Sequence, residues 1–549
     1  MCDMGGLENL VANTAYLKAQ AGDNKEVRRR RRSLALPRPE QCSAVRFCVG
    51  SDFESLCERQ PIGRKFFRKF LEESTSEYAA AAEFLEEVAN WDLAEDGTKD
   101  EALQNIINRF CKADSNRFLS FLTGEVAQRC QAVTEKDFQE VMQCQVRDAT
   151  KEFLRGKPFS EYQNSPYFDK FLQWKQYERQ PITDRYFYEF RTLGKGGFGE
   201  VCAVQVKSTG QMYACKKLDK KRLKSKGGER MALLEKQILE KVSSPFLVNL
   251  SYAYDTPTHL CLVMTLMTGG DLKYHIYDMG ERGIDPERVV YYAAQITSGL
   301  LHLHAMDIVY RDMKPENVLL DSQGQCRLSD LGLAVQLRQD VTICQKAGTS
   351  GYMAPEILRQ EPYSMSVDWW ALGCSIYEMV AGRLPFKDYK EKVQKEEVAR
   401  RTFEDDCKFA HKNFDPLTKN LIELLLKKKI SKRLGCNGDD PRKHEWFKSI
   451  NFARLEAGLT EAPWTPRPNV VYAKDMGDIH DFSEVRGVQL DAADHKFYKE
   501  FSTGAVPIPW QHEMIDSGLF DELNDPSRVE LSPVGGGGDQ KKSKSCTLL

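Results

Sequence analysis

The sequence lacks the cysteine pattern of a disulfide-rich or zinc-binding protein. Its 16 cysteines are scattered over 549 residues, and no two of them form a Cys-x-x-Cys pair or a tight cluster with histidines. Secreted disulfide scaffolds are much shorter and denser in cysteine. We therefore expect reduced cysteines in a cytosolic protein.

Long apolar runs and a dominant charge are missing as well. No stretch approaches the ~18 apolar residues that are needed to cross a bilayer, and Asp3 and Glu8 interrupt any candidate signal peptide. The formal net charge is only -2, which gives no argument for nucleic-acid binding by the whole chain. The sequence predicts a chain that neither spans a membrane nor binds nucleic acid, although it can still attach to a membrane surface.

The length of the chain and the changes in its pattern of apolar and polar residues predict several domains. A chain of 549 residues exceeds the ~250–300 residues that one hydrophobic core usually serves. Phe66, Phe67 and Phe70 exemplify a three- and four-residue spacing of apolar residues that predicts an all-α bundle. Strand-like patterns begin near residue 190 and give way to helical ones near residue 270. The predicted segments are an amphipathic helix at 1–20, a basic linker at 21–55, the bundle at 56–177, the mixed domain at 190–454, a Pro-rich tail with a late helix at 455–525 and a Gly-rich end at 526–549.

A glycine-rich loop opens the mixed domain with the spacing Gly-x-Gly-x-x-Gly-x-Val. Glycines allow a backbone to approach phosphate groups without a side chain in the way. The same spacing also occurs in dinucleotide-binding folds and in ordinary turns, so the loop alone leaves its role open. The residues of this candidate nucleotide-binding loop are Leu193, Gly194, Lys195, Gly196, Gly197, Phe198, Gly199, Glu200 and Val201.

The residues that follow the loop decide between these readings. Lys216 ends a predicted strand and is placed to pair with the α- and β-phosphates of ATP, and Glu235 on a predicted helix can form the ion pair that fixes this lysine. Taken alone, Glu235 would be read as one more exposed helix glutamate.

A second group of polar residues lies on one predicted loop and the strand after it. Asp312 is the candidate acceptor for a substrate hydroxyl proton, and Lys314 is the candidate stabiliser of the transferring phosphoryl group. Asn317 and Asp330 are the candidate metal ligands. ATP and Mg²⁺ are therefore the expected cosubstrate and metal.

Three further motifs follow in the order that a protein kinase requires. Glu356 ends an Ala-Pro-Glu sequence, Asp368 begins an Asp-Trp-Trp sequence, and Arg433 is the expected salt-bridge partner of Glu356. An ordered series from residue 193 to residue 433 is very unlikely by chance. The sequence thus predicts an active protein kinase.

Residues 190–454 resemble a kinase of the AGC group, and the segment after them resembles that group's tail, with Phe497 and Phe501 as its aromatic anchor. The Asp330-Leu331-Gly332 triplet and the sequence from Gly348 to Glu356 are shared with the G-protein-coupled receptor kinases, which the chain resembles nearly end to end. The resemblance implies a bilobal kinase fold inserted into a regulator-of-G-protein-signalling homology bundle, a multidomain α+β architecture whose late helix returns to the bundle. It also implies that the N-terminal helix docks on the receptor through Leu7, Leu10 and Val11.

The C-terminal sequence Cys-Thr-Leu-Leu resembles the prenylation box of the visual branch of this family. Its last residue, Leu549, indicates a geranylgeranyl group on Cys546 and favours the cone-type opsin kinases over the farnesylated ones. The resemblance implies phosphorylation of light-activated opsins at the cytoplasmic face of the photoreceptor membrane, with lipids and basic residues contributing to attachment. Its expected regulators are a calcium-sensor protein and a cyclic-AMP-dependent kinase, the latter acting at Ser33 after a run of arginines, although that run could instead only meet anionic lipid.

Two departures and two alternatives accompany this interpretation. Tyr310 replaces the more common histidine before the catalytic loop, and Gln345 stands where many AGC kinases carry a phosphorylated threonine. The second departure predicts activation by a trigger other than phosphorylation of the loop. An AGC kinase for soluble substrates and a non-catalytic scaffold that binds G-protein subunits are the competing functions.

Overall fold

The computed structural model describes residues 24–196, 199–338, 342–468, 470, 472 and 487–528. These residues form two compact units. The helical unit holds the described parts of Arg29–Pro181 and Trp510–Ser543, and the kinase unit holds those of Met1–Arg28 and Ile182–Pro509. None of the helices in these described ranges is long and apolar enough to cross a membrane.

The helical unit is a bundle of short helices, three of them with π-type hydrogen bonding. The helices are short because turn residues are frequent in this part of the sequence. Several of the helices begin with a proline, which suits the first helical turn. Their bounds are Pro39–Cys42, Ser43–Cys48, Glu54–Arg59, Pro61–Glu73, Ser76–Leu93, Asp96–Ile106, Ile107–Cys111, Gly124–Gln131, Gln139–Val146, Arg147–Arg155, Lys157–Gln163, Pro166–Glu178 and Leu519–Asn524.

The core of the bundle is aromatic and includes residues from both ends of the chain. Phe67 packs edge-on against Tyr162, with ring centroids 5.1 Å apart. Trp510, on the late helix Pro507–Asp516, is fully buried and lies 6.1 Å from the ring of Trp174. Gln511 accepts a hydrogen bond from the backbone N–H of Ile62, the second residue of the helix Pro61–Glu73. The order of the two units along the chain confirms the predicted fold, in which a kinase domain is inserted into an all-α bundle.

The segment 21–55 is more ordered than the basic linker predicted for it. It contains the helix Asn24–Arg31 in addition to helices that belong to the bundle. The side chain of Arg31 donates to Glu522 at 3.2 Å and to the carbonyl of Ser517 at 2.9 Å. Arg528 donates in turn to the carbonyls of Arg31 and Leu34. These contacts join residues almost 500 positions apart, so local sequence patterns could not predict them.

The kinase unit begins with a six-stranded antiparallel sheet whose strand order is β1-β2-β3-β5-β4-β10. Two small two-stranded sheets, β6 with β9 and β7 with β8, follow in the helical part of the unit. The strands are β1 Phe187–Gly196, β2 Gly199–Val206, β3 Met212–Asp219, β4 Leu250–Asp255, β5 His259–Thr265, β6 Ile308–Val309, β7 Val318–Leu320, β8 Cys326–Leu328, β9 Val335–Gln336 and β10 Gly504–Ala505.

The helices of this unit pack partly on the six-stranded sheet and partly around the two smaller sheets. The helix Ser366–Ala381 is apolar on nearly every side, and all but its last residue are buried, as expected for a helix at the centre of a lobe. The helical segments of the unit are Asp184–Tyr186, Lys220–Ser225, Glu229–Lys241, Leu272–Tyr277, Pro286–Ala305, Pro315–Asn317, Pro355–Leu358, Ser366–Ala381, Lys395–Glu404, Pro416–Leu425, Ile430–Lys432, Pro441–Lys443, Glu445–Phe447, Phe452–Glu456 and Ala492–Phe501.

Candidate active site

The glycine-rich sequence forms the β1–β2 hairpin. Gly196 pairs with Gly199 across the hairpin, and Gly197 and Phe198 between them lie outside the described residues. A Cβ atom on Gly199 would overlap the backbone carbonyl of Lys217 on β3. Glycine at this position is therefore required by the packing of the neighbouring strand, a reason that the loop pattern itself does not contain.

The remaining loop residues line the same hairpin. Gly194 and Val201 are buried, while Leu193 is half-buried against the core of the unit. Glu200 lies opposite Lys217 in the sheet and is 3.5 Å from its ammonium group. Lys195 pairs with Glu200 across the hairpin through the backbone.

Lys216 and Glu235 form a buried ion pair. The Nζ atom of Lys216 lies 3.0 Å from Oε1 of Glu235 and 3.4 Å from Oε2. Burial acts to lower the pKa of this lysine, but the carboxylates of Glu235 and Asp330 outweigh it and leave the pKa above its ordinary value. The lysine therefore stays positively charged at neutral pH.

Lys217 points to the opposite face of β3, where the sequence predicts a solvated side chain. The structure instead places its ammonium group 2.9 Å from Glu189, with the side chain only 16% exposed. The two acidic neighbours of Lys217 are Glu189 on β1 and Glu200 on β2. Contacts between residues of different strands cannot be read from the sequence of β3 alone.

Asp312 lies at the centre of a hydrogen-bond network. Its Oδ1 accepts from the hydroxyl of Thr349 at 2.7 Å, and its Oδ2 accepts from the amide of Asn317 at 2.9 Å. The ammonium group of Lys314 lies 3.3 Å from Oδ2 and donates to the Thr349 hydroxyl at 2.9 Å. Three residues of one loop are thus joined to the segment that precedes Glu356.

Asn317 and Asp330 supply oxygen atoms of the kind that hard divalent cations prefer. The amide nitrogen of Asn317 donates to both the carbonyl and the carboxylate of Asp312, which leaves the amide oxygen as its acceptor. Asp330 has a positive φ of 53° and accepts a hydrogen bond from the N–H of Gly332 at 3.1 Å. This donor set fits a divalent metal ion.

A buried aspartate holds the backbone that leads into the catalytic loop. Asp368 accepts from the N–H groups of Tyr310 at 2.9 Å and Arg311 at 2.8 Å. Tyr310 is fully buried, and its hydroxyl donates to the carbonyl of Ser329, next to Asp330. The tyrosine therefore joins the catalytic loop to the segment after β8 that carries Asp330.

Gln345 contacts the arginine of the catalytic loop. Arg311 donates from Nη1 to the side-chain oxygen of Gln345 at 3.1 Å, and Tyr363 donates to the Gln345 carbonyl at 2.7 Å. A neutral amide therefore occupies the place of the phosphate that many AGC kinases put opposite this arginine. The contact requires no phosphorylation.

Glu356 and Arg433 form a two-pronged ion pair in the core of the lobe. Their atoms lie 2.5 and 3.0 Å apart, and both side chains are buried. Arg433 also stacks on Trp370 at 5.2 Å. The geometry is of the kind that makes arginine preferable to lysine at buried pairs.

The tail contributes two aromatic contacts besides the anchor predicted at Phe497 and Phe501, one of them from Tyr472, whose segment resembles the part of the AGC tail that crosses the ATP cleft. Phe501 is fully buried, as is suited to an anchor, but Tyr498 is the ring that lies 4.1 Å from the ammonium group of Lys220. Tyr472 packs against His275, and a Cβ atom on Gly270 would overlap the Tyr472 carbonyl. Only the aromatic character of Tyr498 could have indicated its role.

Several predicted sites lie at or beyond the limits of the described residues. Ser33 is exposed, and its hydroxyl donates to the carbonyl of Arg30 at 2.8 Å. The receptor-docking residues and the prenylation site lie outside the described residues: Leu7, Leu10, Val11 and Cys546.

Comparison with known proteins agrees with this geometry. Residues 187–447 match the model of the protein kinase domain, and residues 52–171 match that of the regulator of G protein signaling domain. The protein is a serine/threonine protein kinase that carries a regulator of G protein signaling domain, and it uses ATP and a divalent metal ion.

The relatives narrow the class to one family. The chain is 69% identical to Rhodopsin kinase grk7a of Danio rerio and 58% identical to Rhodopsin kinase GRK7 of Homo sapiens, over the whole of both chains in each case. It belongs to the rhodopsin kinases, the visual branch of the G-protein-coupled receptor kinases.

Proposed function

We propose that the protein transfers the γ-phosphate of ATP to serine and threonine residues of light-activated opsins, in particular cone opsins, and thereby ends their signalling. The observation that carries this proposal is the similarity to rhodopsin kinases over the full length of the chain. The two clusters of charged residues around Lys216 and Asp312 are also intact. An intact ion pair at Lys216 argues against a non-catalytic scaffold.

In the proposed mechanism, Asp312 receives the hydrogen bond of the substrate hydroxyl and orients it toward the γ-phosphate. Lys314 supplies positive charge where negative charge develops during transfer. Both roles are supported by the short distances among Asp312, Lys314 and Thr349, which keep the two functional groups in one place before substrate arrives.

Nucleotide binding is assigned to the glycine-rich hairpin and to Lys216. The backbone of residues 193–201 covers the phosphates, and Lys216 pairs with the α- and β-phosphates while Glu235 fixes its position. The raised pKa of Lys216 supports this role, because only the charged form attracts phosphate.

Asn317 and Asp330 are assigned as the ligands of Mg²⁺. A Mg²⁺ ion held by these two side chains would supply positive charge that offsets the negative charge of the phosphates. The hydrogen bonds from Asn317 to Asp312 orient the amide of Asn317. A substitution of Asn317 would therefore also disturb Asp312, the residue assigned to the substrate hydroxyl.

Membrane attachment and receptor docking are assigned to the two ends of the chain. A geranylgeranyl group on Cys546 acts with Lys541, Lys542 and Lys544, because one lipid chain gives only reversible attachment without a second signal. The N-terminal helix, residues 1–20, docks on the activated receptor. These assignments are supported by sequence pattern and family resemblance and place the enzyme at the cytoplasmic face of photoreceptor membranes.

Two regulators complete the proposal. A cyclic-AMP-dependent kinase modifies Ser33, whose exposed position after five consecutive arginines suits such an enzyme. A calcium-sensor protein acts as a further regulator, which is supported by the family resemblance alone.

The test compares photoactivated opsin membranes, the same membranes in the dark, and casein, each incubated with the full-length enzyme and labelled ATP. The expected result is strong labelling of photoactivated opsin and weak labelling of the other two. Equal labelling of casein would indicate a kinase for soluble substrates. No labelling of any substrate would indicate a scaffold, and Asp312→Asn provides the background level.

A further inference from the structure

Several serine and threonine residues of this chain stand directly before a proline. Proline favours an extended conformation in the residue before it. Kinases bind their phosphoacceptor in extended form, and proline-directed kinases select an acceptor that a proline follows. Ser532 is such a residue outside the described part of the chain. Within the described part these residues are Ser165, Ser244, Thr256 and Thr465.

Burial distinguishes Thr465 from the other three residues. Ser165 and Ser244 are buried. Thr256 is half-buried, and its hydroxyl accepts a hydrogen bond from the N–H of His259 at 3.0 Å in the turn between β4 and β5. Thr465 is exposed, lies in a segment without helix or strand, and makes no hydrogen bond within the described residues. Among these four residues, its hydroxyl is therefore the one that another enzyme can reach without unfolding the protein.

The sequence around Thr465 favours the same residue. Pro463 stands two positions before it, and Pro466 stands one position after it. Pro-x-Ser/Thr-Pro is the pattern that one class of proline-directed kinases prefers. The other three acceptors lack the earlier proline, since the residues two positions before them are Gln163, Val242 and Tyr254.

Thr465 lies between two residues that hold the tail against the kinase unit. The ring of Trp464, directly before it, packs edge-on against that of Tyr472 with centroids 5.1 Å apart, and the guanidinium of Arg288 lies 4.8 Å from the Trp464 ring. The N–H of Arg467, two positions after Thr465, donates to the Tyr472 hydroxyl at 2.8 Å. The position of the buried Tyr472 therefore depends on residues on both sides of Thr465.

A phosphate on Thr465 would meet negative charge beside this part of the tail. Thr465 lines a cleft of about 560 Å³ together with Asp321 and Glu461. A phosphothreonine carries about −1.5 to −2 charge at pH 7, so both carboxylates would repel it. The guanidinium of Arg327 also lines the cleft, but it donates to two backbone carbonyls and its Nε is buried. Arg467 is exposed to solvent, where an ion pair contributes little.

We propose that Thr465 is a phosphorylation site for a proline-directed serine/threonine kinase and that its phosphate loosens the tail around Tyr472. In this reaction the Thr465 hydroxyl oxygen forms a bond to the γ-phosphorus of ATP held by the modifying kinase. The bond from this phosphorus to the β–γ bridging oxygen breaks, ADP leaves, and the hydroxyl proton passes to a base of that kinase. The site goes beyond the function proposed above, in which Thr465 has no part.

Phosphate mapping tests the site. Full-length protein with Asp312→Asn, which suppresses self-labelling, is incubated with ATP and a mitogen-activated protein kinase, and its phosphates are located by mass spectrometry. We expect phosphate at Thr465 and none at the other three described acceptors. Pro466→Ala should lower the labelling of Thr465 by about tenfold or more, because it removes a contact on which the modifying kinase selects. Pro468→Ala is the matched control and should leave the labelling unchanged.

Hydrogen exchange tests the effect on the tail. The Arg467 amide loses its acceptor when Tyr472 leaves its place, so we expect this amide to exchange at least about threefold faster after phosphorylation. Thr465→Val treated in the same way should show no change, and neither should peptides of the helix Pro166–Glu178. Absence of phosphate at Thr465, labelling confined to Ser532, or an unchanged Arg467 amide in the fully phosphorylated protein would each overturn the proposal.

Discussion

At the scale of single residues, substitutions can distinguish the proposed role of Asp312 from that of the proposed metal ligands. Asp312→Asn keeps a similar shape but removes the carboxylate that is proposed to accept the hydrogen bond and the proton of the substrate hydroxyl. We expect kcat to fall by about 10²–10⁴ with little change in ATP affinity, as for the loss of a general base. Asp330→Asn is the matched variant, and it should weaken the binding of the metal–nucleotide complex instead.

Single-turnover kinetics with opsin membranes and a fluorescent ATP analogue would measure both quantities. Near-normal turnover by Asp312→Asn would contradict the role given to this residue. A large loss of ATP affinity in that variant would show that the network, rather than the proton acceptor, had been damaged.

His275 gives the kinase unit a dependence on pH. Its Nε2–H donates to the Gly269 carbonyl at 2.7 Å, and its Nδ1 accepts from Arg288 at 2.9 Å, so the ring is neutral in this network. Burial, helped by the charge of Arg288, outweighs the hydrogen bond to Gly269 and lowers the pKa of His275 to about 4. The unfolded chain binds the proton more readily, so stability is complete above about pH 6.5 and falls between about pH 6.5 and 4, by about 3 kcal/mol at most.

Thermal unfolding of the wild type and of His275→Gln at pH 7 and pH 5 would measure this dependence. The difference in Tm between the two pH values should shrink in His275→Gln but not in His495→Gln, where the histidine is exposed. An unchanged difference in His275→Gln would assign the acid sensitivity to other groups.

The residues proposed to have chemical roles could be picked out from the sequence, because kinase motifs fix their type and spacing. The partners of these residues were less predictable. The contact between Arg311 and Gln345 joins positions 34 apart, and the one between Lys220 and Tyr498 bridges the sheet and the tail. Such contacts depend on the folded backbone, which no local pattern encodes.

At the scale of elements, the β1–β3 part of the sheet depends on one glycine. Gly199→Ala places a methyl group against the Lys217 carbonyl, so β2 and β3 must separate or shift. We expect a loss of about 1–3 kcal/mol in stability, in the range of overpacked cores, and weaker ATP binding. Gly97→Ala is the control, because its Cβ has open space within a helix and should stabilise by about 1 kcal/mol.

Denaturant unfolding followed by ATP titration would test this. Wild-type stability in Gly199→Ala would mean that the sheet accommodates the methyl group and that glycine serves only the phosphates there.

Helices with strong apolar periodicity were predictable at this scale, as in Pro61–Glu73 with its aromatic face. The helix Asn24–Arg31 was not, because its sequence is almost entirely basic and polar. This helix is identified as part of the fold by its contacts with Glu522 and Ser517, which come from the far end of the chain.

At the scale of the whole molecule, the proposed lipid anchor predicts that the location of the enzyme depends on Cys546. Cys546→Ser should move the enzyme from the membrane to the soluble fraction and slow opsin phosphorylation, while activity on a soluble peptide stays the same. Cys48→Ser, at an exposed cysteine of the bundle, is the control and should stay on the membrane. Mass spectrometry of the C-terminal peptide decides the chemistry, since an unmodified Cys546 followed by the intact last three residues would exclude the anchor.

The proposed phosphorylation of Ser33 predicts a second control of the whole enzyme, through charge near the N-terminus. A phosphate on Ser33 adds about −1.5 to −2 charge beside Arg30 and its neighbours, which should weaken attraction to anionic lipid or receptor. Ser33→Glu should therefore phosphorylate opsin more slowly than Ser33→Ala, with equal rates on a soluble peptide. Equal rates of the two variants on opsin would count against the switch.

The return of the chain to the helical bundle also sets the order in which the protein can be completed during synthesis. Trp174 donates a hydrogen bond to Asn524, which is 350 residues later in the chain. At a translation rate of about 5–20 residues per second, the ribosome needs about 20–70 s to make the intervening residues. Throughout that time the aromatic face around Trp174 waits without Trp510 and Phe520, so the nascent bundle is exposed to aggregation and to chaperones until the kinase domain has already emerged.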